Sequence, residues 1–203
     1  AIRAPFLISS MTGGSQESYN INKRLACAAE QKGWVLGLGS MRAAIEHEHL
    51  IQTFKIREQA PTIPVIANVG LVQLNYGLDL KKLKEALRLI EANALVLHLN
   101  PMQEVFQAEG DTNFKGLWEK LAHLTELLDI PIGIKEVGMG IDAHTAERFA
   151  NHRISFIDVA GAGGTSWIEV EKYRTHLTVQ KNAASAFQDW GIPTAIATQE
   201  AKK

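Results

Sequence analysis

The chain of 203 residues contains one cysteine, Cys27, which excludes an internal disulfide framework and fits a reducing compartment. Basic and acidic side chains nearly cancel at a net charge of −1, so there is no electrostatic basis for a nucleic-acid or anionic-membrane partner. No apolar run approaches the length of a membrane span, and Ala1-Ile2-Arg3 does not read as a secretory signal. A cytoplasmic setting is expected. The G-x-S-x-G elbow, the H-E-x-x-H pair, the Walker loop and the G-x-G-x-x-G fingerprint are all missing. Low-complexity segments are missing as well.

What is present is ordinary globular material, 46% apolar and 21% charged, enough for a single domain over residues 1–203. Its only repeat is an alternation of strand with helix. Strands are expected at Phe6–Ser9, Val35–Leu38, Val65–Val69, Leu95–Asn100, Pro131–Val137 and Phe156–Ala160. Between them the spacing predicts helices at Asn20–Lys32, Glu46–Gln59, Asp79–Ile90, Leu117–Leu128 and Asp142–Asn151, with one more at Thr194–Lys203. Residues 175–192 lack a clean period and read as loop. Strand–helix units in series imply a parallel sheet. The fold expected is α/β, a TIM (β/α)8 barrel of which about six units are present, since a closed barrel needs eight strands and typically about 250 residues. A complete open α/β sheet is the competing architecture.

In such a fold the strand C-termini open on one face, and polar residues collect there. They are Ser10 and Thr12, Ser40 and Arg42, Asn68, His98 and Asn100, Lys135, and Thr165. In Leu95–Asn100 the leucines share one face while Val96, His98 and Asn100 share the other, and Gln103-Glu104 follow in the loop after Pro101. Ile132 and Ile134 point outward, so Lys135 points inward, where it must be paired or bind an anion. Glu136 faces the other way and reads as a structural partner. Plainer roles stand beside these: Asn68 closing a strand end, His98 as a satisfied core histidine, Glu104 as a helix-start carboxylate. His47 and His49 are two apart and read as solvated surface, and Cys27 as a buried structural thiol. Gly161–Thr165 is a glycine-rich turn suited to a phosphate or a flavin edge.

Six strings at successive strand ends carry a resemblance. They are Ser10-Met11-Thr12-Gly13-Gly14, Leu38-Gly39-Ser40-Met41-Arg42, Ala67-Asn68-Val69-Gly70, His98-Leu99-Asn100-Pro101-Met102-Gln103-Glu104, Lys135-Glu136-Val137-Gly138 and Asp158 to Trp167. Together they resemble type 2 isopentenyl diphosphate isomerase, an FMN-dependent TIM barrel interconverting isopentenyl and dimethylallyl diphosphate. The resemblance implies FMN contacts from Ser10, Met11, Thr12, Ser40, Asn68, Lys135 and Thr165, with Lys135 near the flavin N1 region. It implies that Ser40, Met41 and Arg42 hold the diphosphate. His98, Asn100 and Gln103 would flank the reacting carbons, Gln103 touching substrate, and Glu104 would hold Mg²⁺. Ala160 falls where many members carry a serine. NADPH would serve only to reduce the flavin, and a homo-oligomer, tetramer or octamer, is implied.

The family's basic N-terminal segment and its last two barrel units would lie outside residues 1–203, so the natural protein is expected to be longer. Two rival readings remain: an FMN barrel of the 2-hydroxy-acid oxidase kind, and a non-catalytic flavin- or phosphate-binding fragment. Against the first stand Gln103-Glu104, which hydride transfer gives no reason to place in that loop.

Overall fold

Short apolar runs bounded by turn residues make six strands: β1 (Leu7–Ile8), β2 (Val35–Ser40), β3 (Val65–Gly70), β4 (Ala94–His98), β5 (Ile132–Lys135) and β6 (Phe156–Asp158). They come from a computed structural model, which describes residues 2–202. The sheet order is β1-β2-β3-β4-β5-β6. The β1–β2, β2–β3 and β5–β6 pairs are parallel. Leu95 N donates to Pro131 O and Leu99 N to Lys135 O, a step of four residues on each strand, so β4 and β5 also run together. The chain is thus α/β, with parallel strands in sequential order and helices between them. Among the described residues no helix is long and apolar enough to cross a membrane.

These residues gather into two compact units. One runs to Gly70 and adds Gly77–Leu97 and Glu126–Ile132. The other takes Leu71–Tyr76, His98–Thr125 and Gly133 onward.

The first unit holds β1 to β3 and most of β4. All six residues of β3 are buried, as expected for a strand covered on both faces. Helix α1 (Gln16–Lys32) starts earlier than its apolar spacing predicts, because Ser15 caps it by accepting from Ser18 N. Its inner face is lined by small and polar residues. Ser18, Asn22, Ala26 and Ala29 are buried, while Ile21 is 43% exposed and Cys27 lies on the surface. Small side chains on the inner face let the helix approach closely, while Leu25 is half-buried at its edge.

The helix expected over Glu46–Gln59 is two pieces. Helix α2 (Arg42–Glu46) ends at His47, which is extended, and Glu48–Phe54 is a 3₁₀ segment. Ile51 and Phe54 are three apart and both buried, a spacing that the tighter three-residue turn brings onto one face. Helix α3 (Leu80–Leu89) follows Asp79, whose carboxylate accepts from Lys81 N and Lys82 N; Leu83 and Leu87 face the core.

The second unit contains most of β5, all of β6 and, among the described residues, the six α-helices that follow β4, one of them without its last two residues. Helix α4 (Pro101–Phe106) occupies the stretch expected as loop after β4, so Gln103 and Glu104 sit on a helical turn. Pro101 at its start has its φ preset for helix and no N–H to lose. Helix α6 (Ala143–Ala150) is capped by Asp142 as its spacing suggests. Helix α5 (Leu117–Leu127) carries the half-buried Trp118, which packs 4.9 Å from Phe149 with the Arg148 guanidinium 4.1 Å above its ring. Helix α7 (Trp167–Arg174) was not foreshadowed by any period. Nor was α8 (Thr178–Ala186), which replaces part of the loop expected over 175–192. Of α8's residues only Ala184 is buried, so no apolar stripe marks it. Helix α9 (Thr194–Ala201) matches its expected place.

Candidate functional site

Each unit arranges its own share of the strand-end residues. In the first, the loop after β1 is laid against β2. A Cβ on Gly37 would sit 2.5 Å from Ser10 Oγ, and one on Gly39 would sit 2.3 Å from the Thr12 carbonyl carbon. Glycine at those positions is what lets the loop lie down. Gly39 N donates to Thr12 O at 2.9 Å. Thr12 Oγ1 donates to Ser18 Oγ at 2.6 Å, so its hydroxyl faces α1, whereas the Met11 side chain is exposed.

At the end of β2, Ser40 is exposed and its Oγ accepts from Arg42 N at 3.4 Å. Arg42 Nε donates to Glu46 Oε1 at 2.8 Å, both side chains half in solvent. Met41 is fully buried, and its amide donates to Asn68 O. A diphosphate here would meet Ser40 and Arg42, since the Met41 side chain belongs to the core. Asn68 is buried on β3, in register with Ser40.

In the second unit the polar residues after β4 form a network. Asn100 Nδ2 donates to Glu104 Oε1 at 2.8 Å and lies 3.3 Å from Gln103 Oε1. The other Glu104 oxygen accepts from Asp111 N at 2.7 Å, and Asp111 Oδ2 accepts from Gln73 Nε2 at 2.8 Å. Gln103 Nε2 donates to Glu171 Oε1 at 3.3 Å. One atom is left over: Asn100 Oδ1 is buried and has no partner among the described residues. An unpaired buried acceptor of that kind fits a ligand that carries a donor. Glu104 brings one carboxylate to this network. Among the described residues no group of three or more His, Cys, Asp and Glu could hold a metal. A single hard oxygen donor suits Mg²⁺, which keeps most of its shell for water and phosphate.

On β5, Lys135 is buried as the alternation predicts, and its Nζ donates to Glu136 O at 2.7 Å. Burial lowers its pKa, and the Asp158 and Glu136 carboxylates pull it back up. Asp158 lies opposite it in register on β6. Glu136 is the structural residue expected: its Oε2 accepts from Val137 N, Gly138 N and Met139 N. After β6, Ala160 adopts a φ of +36°, and Asp158 Oδ1 accepts from its N–H at 3.2 Å. Thr165 is exposed, and a Cβ on Gly163 or Gly164 would meet nothing within 4 Å. Those backbone groups are therefore open to a ligand.

His98 is the last residue of β4, half-buried, and burial together with the Lys135 charge lowers its pKa from 6.5 to about 4. Between those two values the unfolded chain binds more protons than the folded one, so His98's contribution falls as pH drops from 6.5 towards about 4. At about 1.4 kcal/mol per pH unit the full window is worth ~3 kcal/mol. His98→Gln is expected to flatten the dependence of the urea midpoint on pH across that window. A slope equal to that of the parent protein would show that His98 does not titrate there.

Two residues that the sequence reading passed over belong in this description. Glu171 is 3% exposed and orients Gln103; Asn22 is 2% exposed and donates to Thr12 O at 3.0 Å.

The parallel β-then-α order, with polar side chains at strand C-termini, places the chain in the α/β class whose members bind ligands at those ends. No family model matches it. It is similar to an isopentenyl-diphosphate delta-isomerase of Oceanobacillus iheyensis, 50% identical over 193 residues, covering 95% of this chain and 55% of the relative. The likeness to the enzyme of the same name from Synechocystis is 51% over 196 residues, covering 97% and 56%. That from Rickettsia bellii is 46% identical over 193 residues, covering 95% and 56%. The chain thus spans about half the length of the curated relatives it matches.

Proposed function

We propose that this chain is part of an isopentenyl-diphosphate delta-isomerase of the FMN-dependent type, acting on a small isoprenoid diphosphate with Mg²⁺. The observation that carries the reading is the buried Asn100–Gln103–Glu104 network with its unpaired Asn100 carbonyl. It falls on a string that this chain carries within a match of 50% to a protein of that name.

The reaction moves a double bond by one carbon. One proton arrives at the terminal methylene and another leaves the allylic carbon, so nothing is oxidised or reduced overall. The chemistry supplied by reduced FMN, when bound, is acid–base exchange with the alkene. Its contacts in the first unit would come from Ser10, Met11, the Thr12 backbone, Ser40 and Asn68, and in the second from Lys135 and Thr165. Lys135 holds positive charge at a buried strand end, where it stabilises an anionic ring. Ser40 and Arg42 bind diphosphate oxygens, Arg42 by exchanging Glu46 for phosphate. Glu104 lends one oxygen to Mg²⁺. Gln103, held between Asn100 and Glu171, presents its amide to the substrate and fixes where the alkene lies. His98 stays neutral at physiological pH and therefore adds no charge beside Lys135. NADPH is the reductant, and the working protein is a cytoplasmic homo-oligomer.

The test uses the full-length protein, loaded with FMN and reduced without oxygen, then given isopentenyl diphosphate and Mg²⁺. Dimethylallyl diphosphate is the expected product. Its absence, with flavin bound and reduced, would end the isomerase reading and leave the oxidase-type barrel or the non-catalytic flavin binder in its place.

A further inference from the structure

On α1, a surface-facing helix, one polar side chain is almost completely buried. Asn22 is 2% exposed, and its Nδ2 donates to the carbonyl of Thr12 at 3.0 Å. The same carbonyl accepts from Gly39 N at 2.9 Å, so the middle of the Ser10–Gly14 loop is clamped between a helix and a strand by one shared oxygen. The side chain of Thr12 is tied as well, through Ser18 Oγ, which also receives Ser15 Oγ at 2.8 Å. Gly39 has no room for a Cβ, and the loop cannot move towards β2 to make up for a lost donor. A buried carboxamide spent on one loop carbonyl is costly to keep unless the position of that loop matters.

We propose that Asn22 is a positioning residue for the Ser10–Gly14 loop, and through it sets the affinity for FMN. The second half of this statement rests on the flavin reading above. Asn22 touches no ligand itself. It fixes the height of the Thr12 carbonyl over β2, and thereby where Ser10 and the exposed Met11 present themselves. Losing one of two donors lets that carbonyl drift and leaves the loop to sample several positions before a ligand selects one.

Asn22→Leu keeps the side chain's branching and number of heavy atoms and removes the donor. Asn22→Ala removes both and guards against a packing artefact. Ala29→Gly, on the same buried face of α1 but with no bond to the loop, is the control matched for loss of melting temperature. In the full-length protein without flavin, hydrogen exchange at the Gly39 amide reports the Thr12 carbonyl directly. FMN titration, followed by quenching of flavin fluorescence, reports affinity. Asn22→Leu and Asn22→Ala are expected to speed Gly39 exchange and to raise the FMN Kd by about tenfold, the scale of one buried hydrogen bond. Ala29→Gly should do neither. The proposal is overturned if Asn22→Leu matches the parent protein in both measurements, or if Ala29→Gly reproduces its effect. A parent protein that takes up no FMN would defeat the flavin reading alone, and Gly39 exchange would still decide whether Asn22 positions the loop.

Discussion

Lys135→Met should cut the isomerase turnover of the flavin-loaded full-length protein by about 10³-fold and leave its melting temperature unchanged or higher. The two halves of this expectation have separate causes. Lys135 is 9% exposed at the end of β5, and burial disfavours its charge, as the downward pKa shift records. The pair of carboxylates around it works in the opposite direction and favours the charge, Asp158 across the β5–β6 register and Glu136 beside it. Methionine fills a similar volume and brings no charge that must be desolvated. Glu136 would not be stranded, because its oxygen is held by three backbone N–H groups regardless of Lys135. Asp158 is only half-buried and can be hydrated. The fold therefore loses little. Function loses the one buried ammonium among the strand-end residues, and with it the stabilisation of negative charge on the flavin. Anaerobic turnover and a thermal melt on the same preparation separate the two. Near-parental turnover would remove Lys135 from the chemistry, and a collapsed melt would make it structural.

Lys135 was legible in the sequence because strand alternation is a local rule: Ile132 and Ile134 facing one way force the next residue to face the other. The strands themselves were legible for a related reason, since Val65–Gly70 and Ala94–Leu97 are buried throughout and read as short apolar runs. Helix faces were not equally open to reading. On α1 Ile21 is exposed while Asn22, Ala26 and Ala29 are inside, because close approach to the loop favours small residues and one hydrogen bond over bulk. Helices α7 and α8 escaped notice because they bury few side chains, leaving periodicity with nothing to report. Gln103 and Glu104 were placed in a loop since proline after a strand reads as a stop, whereas here it opens a short helix. Glu171 was the largest omission. In sequence it sits among Glu169, Lys172 and Arg174 and looks like one more solvated charge. The one available signal was its spacing of three from Ile168, which puts it on the buried side of α7.

That burial has a consequence for turnover. Glu171→Leu is expected to lower kcat by about 10²-fold with little change in KM. The Glu171 carboxylate accepts from Gln103 Nε2 at 3.3 Å and from Arg174 Nη1 at 3.4 Å. The first bond decides which way the Gln103 amide points: its nitrogen towards Glu171, its oxygen towards Asn100 Nδ2. Without the acceptor, the amide loses the reason to keep that orientation, and the substrate loses a fixed neighbour. Arg174 is 68% exposed in its side chain and keeps water as a partner, so removing Glu171 strands no buried charge and the fold should persist. A loss of folding would produce a fall in kcat too, which is why the double variant matters more than the single one. If Glu171 acts through Gln103, then Glu171→Leu combined with Gln103→Ala costs no more than Gln103→Ala by itself, because the residue being oriented is already gone. Multiplying penalties would instead mean that Glu171 works on the reaction by a route independent of Gln103.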